Sequence, residues 1–191
     1  MRTVAGLFDS YDEAQDAVGE LEAAGIPASD ISIVANNSDD WYADGDRSDA
    51  AEDAASGAGI GAVVGGAGGL LTGLGIMAIP GVGPVVAAGW LAATAAGAVA
   101  GAAVGGATGG IIGALTDSGV SEPDAHVYAE GVRRGGTLVT ARVDEPLASQ
   151  AQQILSQHAP VDIVARRSEY EAGGWSGFDP DAPRYGDRSS L

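Results

Sequence analysis

Residues 54–116, AASGAGIGAVVGGAGGLLTGLGIMAIPGVGPVVAAGWLAATAAGAVAGAAVGGATGGIIGALT, contain no charged side chain and carry glycine at a fixed interval. Gly57, Gly61, Gly65, Gly69 and Gly73 stand four apart. After Pro80-Gly81-Val82-Gly83-Pro84 the spacing returns at Gly89, Gly97, Gly101, Gly105, Gly109 and Gly113, with Ala93 in the one gap. Positions four apart share nearly one face of a helix. Each interior glycine costs a helix roughly 1 kcal/mol relative to alanine. A glycine-lined face is therefore compensated only where something packs closely against it, as in the small-xxx-small contacts of membrane helices. A repeat of four drifts slowly against the ~3.6-residue period, which suits a right-handed crossing.

The spacing predicts a helical hairpin. One arm is expected from about Gly57 to Ile79 and the other from about Val85 to Leu115, joined by a tight bend at Pro80, Gly81, Gly83 and Pro84. The expected helix-packing seam comprises Gly57, Gly61, Gly65, Gly69 and Gly73 on the first arm, and Gly97, Gly101, Gly105, Gly109 and Gly113 on the second. Each arm is long enough to cross a hydrocarbon core of ~30 Å, which takes ~20 residues. Length permits spanning without establishing it, because Gly and Ala gain little on transfer to lipid. Such a hairpin either enters or lies on a membrane, or buries its seams against copies of itself.

Outward from this run, all the charge lies in the flanks. Residues 1–53 hold 14 acids and 2 Arg, a net of −12; residues 117–191 hold 12 acids and 7 Arg, a net of −5; there is no lysine. With no basic stripe to displace counterions from phosphate, the composition argues against nucleic acid. It equally disfavours electrostatic docking on anionic lipid. The absence of cysteine excludes disulfides, thiol nucleophiles and cysteine metal sites. Residues Met1–Gly6 lead into folded-looking sequence without the apolar core of a signal peptide, so the expected location is the cytoplasm or the cytoplasmic face of the inner membrane.

The first flank reads as strand, helix, strand. TVAGLF (3–8) is the first strand; Ser10 and Glu13 form a capping box before Tyr11, Ala14, Ala17, Val18 and Leu21 at helical spacing; Gly25 ends the helix and DISIVA (30–35) is the second strand. Residues 36–53 form an acidic loop. Its Asp44-Gly45-Asp46 with Asp49, Glu52 and Asp53 misses the register of a calcium loop and reads as a solvated linker. The second flank repeats the pattern. Ser121, Pro123 and Asp124 open a helix whose apolar face is Ala125, Tyr128, Ala129 and Val132, with Arg133 and Arg134 at its C-terminal end. TLVTARV (137–143) is a third strand; Asp144 and Pro146 open a helix carrying Leu147, Ala151, Ile154 and Leu155; PVDIVA (160–165) is a fourth strand that echoes the second.

These units predict an α+β fold: a ferredoxin-like split βαβ sandwich, four antiparallel strands with helices on one face. The Gly/Ala-rich helical hairpin interrupts it between the second and third strands, and a disordered C-terminal tail follows from Arg166, with Tyr170, Trp175, Phe178 and Tyr185 spaced along it. The expected divisions are 1–35, the first βαβ half; 36–53, the acidic loop; 54–116, the hairpin; 117–165, the second half with its preceding helix; and 166–191, the tail.

TVAGLFDSYDEAQDAVGELEAAGI at the start, AIPGVGPVVAAG at the bend and GVSEPDAHVYAEGVRRGGTLVTARV after it resemble the bacterial general stress proteins, a family with heat-induced and low-temperature-induced members. The resemblance covers most of residues 3–165. It implies a stress-associated role and a ferredoxin-like domain interrupted by a glycine-zipper hairpin, and it brings no catalytic residues.

The residues themselves offer little chemistry. His126 and His158, the only histidines, each fall on an amphipathic helix with no nucleophile pattern nearby, so both read as structural. A Walker lysine is impossible and no strict GxGxxG occurs. No catalytic, cofactor-binding or metal-binding residue is singled out. The expectation is a non-enzymatic, membrane-associated structural protein of the stress response that self-associates through glycine-zipper helices, with its own copies as partner and the lipid bilayer as a second candidate. The alternative is a soluble homo-oligomeric assembly or protein-binding module with those helices buried between subunits. A pore ranks lower, since the run offers only Thr72, Thr94 and Thr108 for a polar lumen.

Overall fold

The computed structural model describes residues 1–39, 41–42, 70, 74–79, 81–94, 110–158, 160–182 and 185. Five strands form one antiparallel sheet: β1 (Arg2–Phe8), β2 (Ile31–Asn36), β3 (Gly75–Ile79), β4 (Gly83–Gly89) and β5 (Thr137–Val143), in the order β1-β5-β2-β4-β3. The helices are α1 (Tyr11–Ala23), α2 (described over 90–94), α3 (Gly110–Asp117), α4 (Glu122–Arg133), α5 (Glu145–Gln157) and α6 (Ile163–Ala172).

β5 is antiparallel to both β1 and β2, pairing Ala5 with Thr140 and Thr140 with Ser32. β1 and β2 therefore run parallel, joined by α1, with β5 between them; this first unit is a split βαβ. Helices cover both faces of the sheet, not one. Val4, Phe8, Ile31, Ile33, Val139 and Ala141 pack against α1 and α5 on one side. Leu7, Val34, Val85, Ala87 and Leu138 pack under α2, α3 and α4 on the other. Burial of both faces explains why β2 and β5 lack clean apolar–polar alternation. Gly131 lets α4 lie close on β1, since a Cβ there would meet the Leu7 Cδ1 at 2.9 Å.

The fourth strand does not form. Residues 163–172 are α6, and the trace of strand pairing left among the described residues is one hydrogen bond, from the Val161 N–H to the Leu7 carbonyl (2.7 Å) on the outer side of β1. The fold is α+β with a five-stranded antiparallel sheet, and among the described residues the fourth strand that the ferredoxin-like expectation needs is a helix. The tail is corrected with it. Residues 166–172 are helical, Tyr170 is buried, and Phe178 packs into the second core cluster.

The helical hairpin is also corrected at its centre. Gly75–Ile79 and Gly83–Gly89 are paired strands, with Ile76 opposite Val86 and Met77 opposite Val85. Ile76, Ile79, Val82, Val85 and Val86 are β-branched and favour extended backbone. The Val82 N–H donates to the Ile79 carbonyl (3.0 Å) and Gly81 has φ +77°, the positive φ required at the third position of a type II turn. A Pro-Gly turn between apolar residues suits this β-hairpin. β4 also pairs with β2, Val34 opposite Ala87, so it is a central strand with residues 85–88 buried.

Candidate functional site

The expected seam falls mostly outside the described residues: Gly57, Gly61, Gly65, Gly69, Gly73, Gly97, Gly101, Gly105 and Gly109 all do. Gly113 lies on α3, whose buried positions are Ile111, Ala114 and Leu115. Gly89, the first member of the second series, ends β4 at φ +86°, where a Cβ would collide with the Ile31 carbonyl; it serves a close strand approach. At the bend, Pro80 and the Asp44–Asp53 segment lie outside the described residues. Gly83 opens β4 with φ +101°, and Pro84 follows it, its carbonyl accepting the Asn37 N–H at 2.9 Å. The turn sits under the C-terminal segment: a Cβ on Gly81 would lie 2.5 Å from the Pro180 Cα and 2.8 Å from the Phe178 ring.

The main polar centre of the described structure is built on α4, and the apolar periodicity of the sequence did not point to it. Glu130 is fully buried. Its carboxylate accepts two hydrogen bonds from Arg133, from Nε and one terminal nitrogen, both at 2.8 Å, and a third from Arg134 Nε at 2.6 Å. A buried carboxylate is tolerable only when paired in this way. The hydrogen bonds to Glu130 push the Arg133 guanidinium further up, against the opposing effect of burial. The signal was present as Glu130 three and four residues before two arginines, on a helix buried nearly all round.

These arginines hold the C-terminal segment down. Arg134 lies 4.1 Å from the centre of the Tyr170 ring and 4.7 Å from that of Tyr185, and Tyr170 meets Trp175 edge-on at 5.6 Å. Burial raises the Tyr170 pKa although Arg166 and Arg134 oppose it. Arg167 pairs with Asp124 at 2.6 Å and Arg166 with Asp9 at 2.8 Å, tying α6 to α4 and to the end of β1. His126 accepts the Phe178 N–H on Nδ1 at 3.0 Å, the structural role expected of it. The cluster's chemistry is adhesive: guanidinium, carboxylate and aromatic faces satisfy one another. Among the described residues no group of three or more His, Asp or Glu side chains could hold a metal ion, and no helix is long and apolar enough to cross a membrane.

Residues 3–81 match the family model described as the heat induced stress protein YflT domain. The resemblance to the bacterial general stress protein family is borne out. No curated protein and no solved structure matches the chain. The matched segment holds β1, β2 and β3, and no two of these are neighbours in the sheet. β5 separates the first two and β4 the last two, so the sheet closes only with residues beyond 81.

Proposed function

We propose that this is a non-enzymatic stress-response protein that works by self-association, with glycine-rich arms packing between copies of a folded α+β domain. The observation that carries this reading is the position of residues 75–89. They belong to the central sheet, so the charge-free run is two segments, each attached to the domain at both ends. A bend lodged in the sheet is poorly placed to be the tip of a membrane-inserted hairpin, which favours packing on protein. Chain length argues the same way for the second segment. Its described flanks, α2 and α3, share one core cluster, with Trp90 and Leu91 beside Ile111 and Leu115 in it. The fifteen residues 95–109 between them would measure ~22 Å as a continuous helix, short of a ~30 Å hydrocarbon core even for one passage.

The test is the mass of the full chain in detergent-free buffer, by light scattering, for wild type and for Gly65→Leu and Gly105→Leu. A defined oligomer that becomes smaller in these variants, with the domain's circular dichroism unchanged, supports the proposal. A wild-type monomer at every concentration contradicts it. Co-flotation with lipid vesicles would restore the bilayer as the partner.

A further inference from the structure

The two borders of the sheet are built differently. Along β1 the outer edge is partly occupied by the Val161 N–H, and charge surrounds it: Arg2 opens the strand, and Asp9 just beyond it is held by Arg166. Beyond β3, among the described residues, no strand follows. Gly75–Ile79 contains no charge, no proline and no bulge, the devices that normally protect an edge from pairing. Ile76 is 36% exposed and Ala78 is also exposed, on the face opposite Met77 and Ile79, which join the second cluster. An exposed strand edge presents alternate N–H and C=O groups to whatever lies beside it.

We infer that β3 pairs antiparallel with β3 of a second copy of this chain, joining two five-stranded sheets into one. Charge selects this partner and this edge. Each copy carries −17, all of it in residues 1–53 and 117–191, so like-charge repulsion opposes contact through either flank. β3 lies inside the 54–116 run and carries no charge of its own, so two acidic copies pairing along it set no β3 carboxylates opposite one another, although the C-terminal segment brings Asp179 against the turn at Gly81. An antiparallel strand can pair with itself about a two-fold axis, giving a closed, isologous dimer. Full overlap of the five residues centres the axis on Met77, which sets Ile76 of one copy opposite Ala78 of the other, twice. Each such pair buries apolar surface that the single copy leaves exposed. The inference rests on the self-association reading and names an interface for it distinct from the glycine seams.

Register gives the test. Ile76→Lys and Ala78→Asp each place two like charges across the axis or beside it, and should each weaken dimerisation of the full chain roughly tenfold. Mixing the two variants sets a lysine opposite an aspartate and should recover a heterodimer, measured by sedimentation. Loss in each variant with recovery on mixing supports β3 pairing. An assembly insensitive to both changes but lost in Gly65→Leu and Gly105→Leu overturns it while leaving self-association intact; a monomeric wild type overturns both. A readout without mutation is amide exchange of residues 75–79 against concentration. Protection that rises with assembly supports the pairing, and protection independent of it contradicts it.

Discussion

Ile31–Ala35 and Val161–Ala165 are near copies, ISIVA and VDIVA, yet the first is a strand and the second begins a helix. In the first, all five residues are buried, between β5 on one side and β4 on the other. The Ser32 hydroxyl donates to the Ala88 carbonyl at 2.7 Å, satisfying itself within the sheet. In the second, Asp162 replaces that serine. Its carboxylate accepts the N–H groups of Val164 (2.9 Å) and Ala165 (3.1 Å), which is how an N-cap starts a helix. The residues after each pentapeptide differ as well: Arg166, Arg167 and Glu169 favour an exposed helix that delivers Tyr170 to the core. Apolar pattern proposes a strand; neighbours on both sides, or a cap, decide.

The largest expected effect comes from truncating one apolar residue in each of the two pentapeptides. Ile33→Ala, at a fully buried site, should lower stability by about 2–5 kcal/mol in urea denaturation, while Val164→Ala, 73% exposed, should stay within about 0.5 kcal/mol. Equal effects would mean that the two segments are packed alike. Next is the helix layer over β1 and β2. Burial pushes Tyr128 on α4 up to about 12, with Asp124 adding to it. A group whose pKa is raised on folding stabilises fully below its unfolded value, so stability should hold up to pH ~10 and fall by as much as about 3 kcal/mol as pH rises toward 12. Tyr128→Phe should flatten that part of the pH profile.

Asp162→Ala removes the cap that separates the two pentapeptides and should cost about 1 kcal/mol, with faster amide exchange at the start of α6. Ser32→Ala, by contrast, should leave β2 a strand. The smallest effect is expected for Arg166→Ala, whose partner Asp9 has a 65% exposed side chain; exposed pairs contribute about 0.2–1 kcal/mol. A larger loss would assign the pair a role in fixing α6 against β1.

Much of the domain was legible where local signals and tertiary context agree. β1, α1, β2, α4, β5 and α5 follow apolar periodicity and turn chemistry, and Ser121 caps α4 by accepting the Asp124 N–H at 3.3 Å. Ser10 stands at the N-cap position of α1, but its side chain makes no capping hydrogen bond. The hairpin at 75–89 was obscured because the second series of glycines at intervals of four starts inside it, and Gly89 fits a helical seam as well as it fits a strand end. Pro80-Gly81 with valines following carried the competing signal of a type II turn between strands. The Glu130 cluster was hidden because a charged residue on an amphipathic helix reads as surface, and only the packed C-terminal segment makes it a buried anchor.

The most direct test of the central claim, that the charge-free run is divided by strands of the domain's own sheet, is a set of interstrand NOEs in the full-length chain. Contacts joining Val34 to Ala87 and Ile76 to Val86 are expected, with slow amide exchange along 85–88. Helical contacts between residues three apart through 75–89, with none to residues 31–36, would contradict it and return the run to a helical hairpin.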